Sequence, residues 1–221
     1  DELEWPDHFQ RDAHGFYLDP DRFPIRRIPF LRWAISFLEA TLQRPPVFHC
    51  FGLHEWAMVY KSPEKRYPNI PLRVSTPELE RVIEESPLRC THYDAFRFFS
   101  EPAAPLNRVQ LTADTVTEND QPGCIHATMD LYRLAYKIAP YVPSELLADL
   151  FFLARDAREI DMRAAPYDLT QFGFSPIAIE TKQGREHYVA AQQALCERAM
   201  PFRERLRDVY QELLSVTAST A

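Results

Sequence analysis

Three segments of the chain each carry a cysteine followed at short range by a histidine, and both residue types can do chemistry. The pairs are Cys50 with His54, Cys90 with His92, and Cys124 with His126. Imidazole and thiolate, together with carboxylate, form the ligand set of zinc and iron sites. An imidazole beside a carboxylate is equally the pair that transfers protons in general acid–base catalysis.

Carboxylates accompany these histidines. Glu55, Asp94 and Asp130 each lie within four residues of one of them. A further acid, Asp161, falls on the core-facing line of a predicted helix, where a buried carboxylate needs a partner. We therefore expect a common pocket lined by the candidate catalytic residues His54, Glu55, His92, Asp94, His126, Asp130 and Asp161. A divalent metal ion, zinc or iron, would be held there by His54, His92, His126 and Asp130.

Structural roles would account for the same residues. Free cysteine is often buried simply as a small apolar side chain, and a histidine at a helix start often only hydrogen-bonds its neighbours. The chain also has no diagnostic metal spacing such as H-E-x-x-H, because Met58 stands where the second histidine would be. Residue types alone leave open a metal-binding, a proton-transferring and a structural cluster.

Helices must position these residues, because apolar residues recur at helical spacing between proline stops. The predicted helices span residues 24–44, 48–60, 76–86, 124–138, 145–164, 185–199 and 202–214. The remaining predictions are an irregular N-terminal arm at 1–24, an extended or helical stretch at 90–99, a long loop at 100–123 and a short strand at 176–181. In the extended form of 90–99, Cys90, His92 and Asp94 share one face. The pattern predicts a mainly α single domain, residues 1–221, of about six or seven helices with at most a minor β element.

Composition excludes several classes of protein. The 221 residues are 46% apolar and 26% charged, as in ordinary globular domains, and no apolar run is long enough to span a bilayer. Only five glycines accompany 19 prolines, and neither a P-loop nor a G-x-G-x-x-G motif is present. The four dispersed cysteines indicate reduced thiols, and the chain starts without a basic-then-apolar leader, so we expect a cytoplasmic protein that does not enter a membrane.

Four longer runs carry a resemblance to a known family. They are residues 50–60, 89–99, 121–126 and 161–169. Together they resemble a bacterial family whose members are commonly labelled 3-methyladenine DNA glycosylase, over a region from about Phe30 to about Leu206. The resemblance implies hydrolysis of an N-glycosidic bond, with a base stacked on Trp56 or Tyr93 and water positioned by an aspartate of the cluster.

The net charge of −7 bears on the partner of such an enzyme. An acidic chain is poorly suited to neutralising DNA phosphates, and its isolated glycines form no Gly-rich hairpin to grip a duplex. We therefore expect a small-molecule or nucleobase-containing substrate rather than duplex DNA. Two alternatives stay open: a helical metalloenzyme that catalyses hydrolysis or oxygen chemistry, and a non-catalytic helical binding or assembly protein.

Overall fold

Eight α-helices carry most of the described chain. The computed structural model describes residues 6–63 and 66–218. Its helices are α1 (Ile28–Gln43), α2 (Leu53–Ala57), α3 (Thr76–Glu85), α4 (Tyr93–Phe96), α5 (Val116–Asn119), α6 (Ile125–Lys137), α7 (Ser144–Ala164) and α8 (Lys182–Ala218). Within those ranges the strands β1 (Phe9–Asp12) and β2 (Gly15–Leu18) form a two-stranded antiparallel sheet. The prediction of a mainly α fold with a minor β element is confirmed.

The long helices α1, α6, α7 and α8 pack around the largest of three apolar clusters in the described part of the chain. Leu38, Leu131, Leu150 and Leu206, one from each helix, are at most 1% exposed. The apolar stripe at helical spacing is what each helix buries, and this burial rather than helix propensity stabilises it. The second cluster lies under α2 and α3 and includes Trp56 and Tyr188. In the part of the chain described, no helix is both long and apolar enough to cross a membrane.

The helix predicted over 48–60 is wrong in extent. Only Leu53–Ala57 is helical, because Phe51 and Gly52 both take left-handed backbone conformations, with φ of +50° and +75°. Gly52 is required here, since a Cβ at this position would lie 2.9 Å from the Cβ of Ala164 on α7. The close approach lets Trp56 donate a hydrogen bond of 2.9 Å to the carbonyl of Ala164, so α2 is fixed against the end of α7.

The two helices predicted at the C-terminal end are one. Pro201 lies inside α8, which runs unbroken through it. Proline removes one helical hydrogen bond and usually ends or kinks a helix. Here Leu195 and Ala199 before it, and Leu206 and Tyr210 after it, are all buried in the largest apolar cluster. Tertiary packing on both sides therefore keeps the helix continuous.

Of the other predicted elements, three helices are confirmed, whereas the strand, the irregular arm and the long loop differ from the prediction. The helices predicted at 76–86, 124–138 and 145–164 agree with α3, α6 and α7 within about a residue, although Ser75 rather than Thr76 caps α3. No strand forms at 176–181. The predicted arm is not irregular throughout, since β1 and β2 form a hairpin in it, while residues 1–5 lie outside the described residues. The predicted loop at 100–123 contains α5 and two short 3-10 turns.

The stretch at 90–99 contains both of the conformations that the sequence allowed. It has no regular structure up to His92, whose backbone is extended and which occupies the N-cap position of α4. Asp94 therefore lies in a helical turn and does not share a strand face with Cys90 and His92, as the extended reading predicted. The change from extended chain to helix turns Asp94 towards α6, where Arg133 bonds to it at 2.7 Å.

Candidate functional site

His54 lies in the first turn of α2 and is 1% exposed, with both ring nitrogens engaged. Its Nδ1 lies 3.3 Å from Sγ of Cys50, and its Nε2 lies 2.6 Å from Oδ1 of Asp161. Asp161, on α7, is fully buried and also accepts a hydrogen bond from Arg158. The expectation that Asp161 needs a buried partner is confirmed.

The His54–Asp161 contact is a buried ion pair. Burial alone would raise the pKa of Asp161, but the charge of His54 and the hydrogen bond from it hold that pKa well below its usual range. Burial alone would lower the pKa of His54, but the Asp161 carboxylate raises it well above its usual value. The imidazolium in turn lowers the pKa of the Cys50 thiol, which burial on its own would raise. The pair therefore favours a charged imidazole next to an ionisable thiol.

His92 is held by a second buried carboxylate that the sequence analysis missed. Its Nδ1 lies 2.9 Å and 3.1 Å from the two carboxylate oxygens of Asp120, whose residue is fully buried. Its Nε2 lies 3.8 Å from Oδ2 of Asp130 on α6. Burial would lower the pKa of His92, but the Asp120 carboxylate raises it. Asp120 lies between α5 and α6 in a region without periodicity, and the only signal for it was that the long loop could be functional.

His126, in the first turn of α6, lies between the other two imidazoles. Its ring stacks on that of His92 with centroids 5.3 Å apart and an interplanar angle of 17°. It meets the ring of His54 edge-on at 4.5 Å. Burial, followed by the positive charge of His54, lowers its pKa well below the usual value, so His126 is neutral at pH 7. The three histidines of the separate sequence segments do converge.

The carboxylates sort into two groups with these histidines. In one group, donor atoms of His54, His126 and Asp161 all lie within 4.8 Å of one another. In the other, donor atoms of His92, Asp94 and Asp130 meet the same limit. Such groups have the composition and spacing of metal ligands.

A cation already bridges the acids of the second group. Arg133 bonds to Asp94 at 2.7 Å and also to Asp130. Asp130 is largely buried, and this burial raises its pKa against the effects of His92 and Arg133. Arg133 itself is about half exposed, with a side-chain exposure of 48%. The second group therefore lies closer to solvent than the buried pair of His54 and Asp161.

Glu55 does not join the imidazoles, although the sequence analysis placed it in the same pocket. Its Oε1 accepts a hydrogen bond of 3.3 Å from Arg158, and neither donor group includes it. As the residue after His54 on a short helix, it projects about 100° away from it. Glu55 therefore contacts Arg158 and is not part of the histidine cluster.

The three cysteines that precede the histidines line one small cavity. Its volume is about 10 Å³, about the space of one water molecule, and His54 and His126 form part of its wall. Cys50, Cys90 and Cys124 all border it. The fourth cysteine, Cys196, lies on α8 and does not. The three cysteine–histidine pairs thus bring three thiols together in one cavity next to the imidazoles of His54 and His126.

The arrangement can perform two kinds of chemistry. Imidazole and carboxylate donors can bind a divalent metal ion, and a neutral imidazole beside them can accept a proton. A thiol, an imidazole and a carboxylate in series, as in Cys50, His54 and Asp161, can also form an activated nucleophile. The comparisons with known proteins do not choose between them, since no family model, no curated protein and no solved structure matches the chain. The resemblance to the glycosylase-labelled family stays a prediction.

Proposed function

We propose that the protein is a metal-dependent hydrolase whose divalent ion, zinc or iron(II), is held by His92, Asp94 and Asp130. The observation that carries the proposal is how the two nitrogens of His92 are used. Nδ1 donates to Asp120, and Nε2 lies 3.8 Å from Asp130 in the group of potential donors. Metal-binding histidines usually donate their second N–H to a carboxylate, which fixes the tautomer and directs the other lone pair to the metal.

The donor set fits such an ion. One imidazole and two carboxylates are ligands that zinc and iron(II) both accept, and three protein ligands leave a coordination position open. Arg133 now supplies the positive charge that balances Asp94 and Asp130. Because its side chain is about half exposed, it can leave the carboxylates and remain solvated when a metal ion binds.

The proposed ligand set differs from the one predicted from sequence, because it leaves out His54 and His126 and adds Asp94. His54 was predicted as a ligand, but both of its nitrogens are engaged, by Cys50 and by Asp161. A metal ion at that histidine would have to break the buried pair. We assign His54 to holding Asp161 and to adding its positive charge to the burial that keeps His126 neutral.

His126 is suited to accept a proton during hydrolysis. Its imidazole is neutral at pH 7 and stacks on the ring of the proposed ligand His92. A bound divalent ion supplies a Lewis acid that lowers the pKa of its water. Of the three imidazoles, His126 is the one that would accept a proton, and its lowered pKa means that it would pass the proton on readily. Cleavage of an N-glycosidic bond in a small nucleobase-containing substrate is one reaction of this class, and it remains a prediction.

Metal content tests the proposal directly. Protein purified without chelators should contain close to one zinc or iron per chain, and His92→Ala and Asp130→Asn should lose it while remaining folded. His187→Ala and Asp149→Asn change exposed residues on α8 and α7 and serve as matched controls. Hydrolysis of nucleoside, ester and phosphodiester substrates is then compared before and after chelation. Wild-type protein that binds neither metal at micromolar concentrations would rule the proposal out.

A second candidate function is thiol-based nucleophilic catalysis, favoured by the series Cys50–His54–Asp161. The thiol lies 3.3 Å from the imidazole, and the imidazole lies 2.6 Å from the carboxylate. This is the order of nucleophile, base and orienting group in cysteine hydrolases. Activity that survives chelation but is lost in Cys50→Ser, and not in Cys196→Ser, would favour this function over the metal-dependent one.

A further inference from the structure

A separate cavity is lined by Arg158 and Glu55 and by none of the three clustered histidines. It has a volume of about 120 Å³ and is bordered by α2, by α7 and by two loop segments, residues 67–70 and 165–169. The two loops are held together by backbone hydrogen bonds, from Arg73 to the carbonyl of Pro166 and from Asp168 to the carbonyl of Pro71. The walls of the cavity are therefore built from ordered elements.

Two residues that line this cavity each have a buried polar atom without a partner in the described part of the chain. Oε2 of Glu55 and the hydroxyl of Tyr167 make no hydrogen bond within the described part of the chain. Glu55 is 4% exposed and Tyr167 is 3% exposed, and both line the cavity. Leaving such groups unsatisfied destabilises the folded state, so native proteins rarely do so without a reason. A ligand that donates to the carboxylate and accepts from the hydroxyl would satisfy both.

The size and walls of the cavity select the shape of that ligand. An apolar cavity of about 150 Å³ holds one benzene molecule, so about 120 Å³ fits a single small ring and excludes a fused pair. The rings of Tyr67 and Tyr167 meet edge-to-face with centroids 5.2 Å apart. Apolar contacts from Met162 and Leu169 complete the lining. Aromatic edges and faces of this kind favour a flat partner.

Arg158 connects this cavity to the histidine cluster. It bonds to Oε1 of Glu55 at 3.3 Å, to the hydroxyl of Tyr67 at 3.4 Å, and also to Asp161. Asp161 in turn holds His54, whose ring meets that of His126. A molecule bound in the cavity would therefore lie a few side chains from the proposed proton acceptor.

We propose that this cavity binds one planar ring that carries an N–H donor next to a carbonyl acceptor, with Glu55 accepting from the N–H and Tyr167 donating to the carbonyl. The ring is the recognition group of the substrate. That last assignment rests on the proposed hydrolase function, whereas the binding of the ring itself does not. Glu55 and Tyr167 are the residues that determine specificity for the ring.

The test uses two probes that differ by one group. 2-Pyridone has an N–H beside its carbonyl, and N-methyl-2-pyridone carries a methyl group in place of that hydrogen. Titration of wild-type protein, followed by ligand-observed NMR or calorimetry, should give a dissociation constant at least about tenfold lower for 2-pyridone. Equal affinities, or no saturable binding of 2-pyridone, would overturn the proposal without any variant being needed.

Variants locate the binding. Glu55→Gln and Tyr167→Phe should each weaken 2-pyridone binding about tenfold while leaving N-methyl-2-pyridone less affected. Tyr60→Phe is the matched control, because Tyr60 is also buried but donates to Glu84 outside the cavity. An equal loss in Tyr60→Phe and Tyr167→Phe would contradict the assignment.

The two proposals can fail separately. Metal content measured on the same wild-type preparation decides the hydrolase proposal, and the pyridone titration decides the ring site. Saturable 2-pyridone binding to protein that holds no metal would support the ring site and refute the metal centre. Bound metal with no discrimination between the two probes would do the reverse.

Discussion

Replacing Asp161 with asparagine should destabilise the protein strongly, although the change is isosteric. Asp161 is fully buried, and both of its oxygens serve cationic partners, His54 on one side and Arg158 on the other. Removing one member of a buried ion pair costs about 3–5 kcal/mol, because the remaining charge is left unpaired. For a chain of this length, 1 kcal/mol changes the melting temperature by about 2–4 °C, so we expect a loss of about 6–20 °C.

The same helix offers a matched control. Asp156 also pairs with two arginines, Arg155 and Arg198, but at the surface, with 28% of its side chain exposed. Exposed ion pairs contribute about 0–1 kcal/mol, so Asp156→Asn should change the free energy of unfolding by no more than that. Urea denaturation followed by circular dichroism measures both variants. Similar small losses in Asp156→Asn and Asp161→Asn would refute the interpretation of His54–Asp161 as a buried ion pair.

The pH dependence of this effect has a definite sign. The pKa of Asp161 is lowered on folding, so its contribution is complete above the usual aspartate value, about 4, and is lost as the pH falls through the folded value. The pKa of His54 is raised on folding, so its contribution is complete below about 6.5 and is lost as the pH rises through the folded value. The difference in stability between wild-type protein and Asp161→Asn should therefore be largest between about pH 4 and pH 6.5. A difference that grows steadily towards pH 9 would contradict this.

Three further predictions address the metal ligand, its competitor and the thiol. Asp120→Asn should weaken metal binding about 10–100-fold, because it weakens the hydrogen bond that orients the ligand His92 without removing a ligand. The affinity for the metal is measured by competition with a chromogenic chelator. Arg133→Gln should strengthen metal binding, because the variant removes the cation that bridges the two ligand carboxylates. Unchanged or weaker binding in the same chelator assay would contradict the idea that Arg133 competes with the metal ion. Cys50 should react with iodoacetamide at a lower pH than an ordinary thiol, because His54 lowers its pKa, while Cys196, whose pKa burial raises, should not; peptide mass spectrometry after timed labelling distinguishes them.

Residue types and helical periodicity predicted the parts of the site that lie on regular elements. His126 and Asp161 occupy helices whose bounds the apolar pattern predicts within about a residue, and a buried acid on a core-facing line requires a partner wherever it occurs. Each cysteine–histidine pair precedes or begins a helix, α2, α4 or α6, and the tertiary packing brings their three imidazoles into contact.

Backbone irregularities explain what the sequence did not reveal. The run around Phe51 and Gly52 is almost wholly apolar and resembles a buried helix. Its left-handed turn, and the close approach of Ala164 and Tyr188 to Gly52, are visible only in the tertiary structure. Asp120 lies in a segment without any repeating pattern, so no local signal points its carboxylate at His92. The continuity of α8 through Pro201 likewise depends on tertiary packing, which the local sequence around a proline does not reveal.

Gly52 has a consequence beyond the turn it permits. Its missing side chain sets how closely α2 approaches α7, and these two helices carry the opposite halves of the His54–Asp161 contact. Any larger residue at this position would push α2 away from α7 and so lengthen the distance between His54 and Asp161, although it contacts neither side chain. The strength of the charge pair thus depends on the absence of a single methyl group.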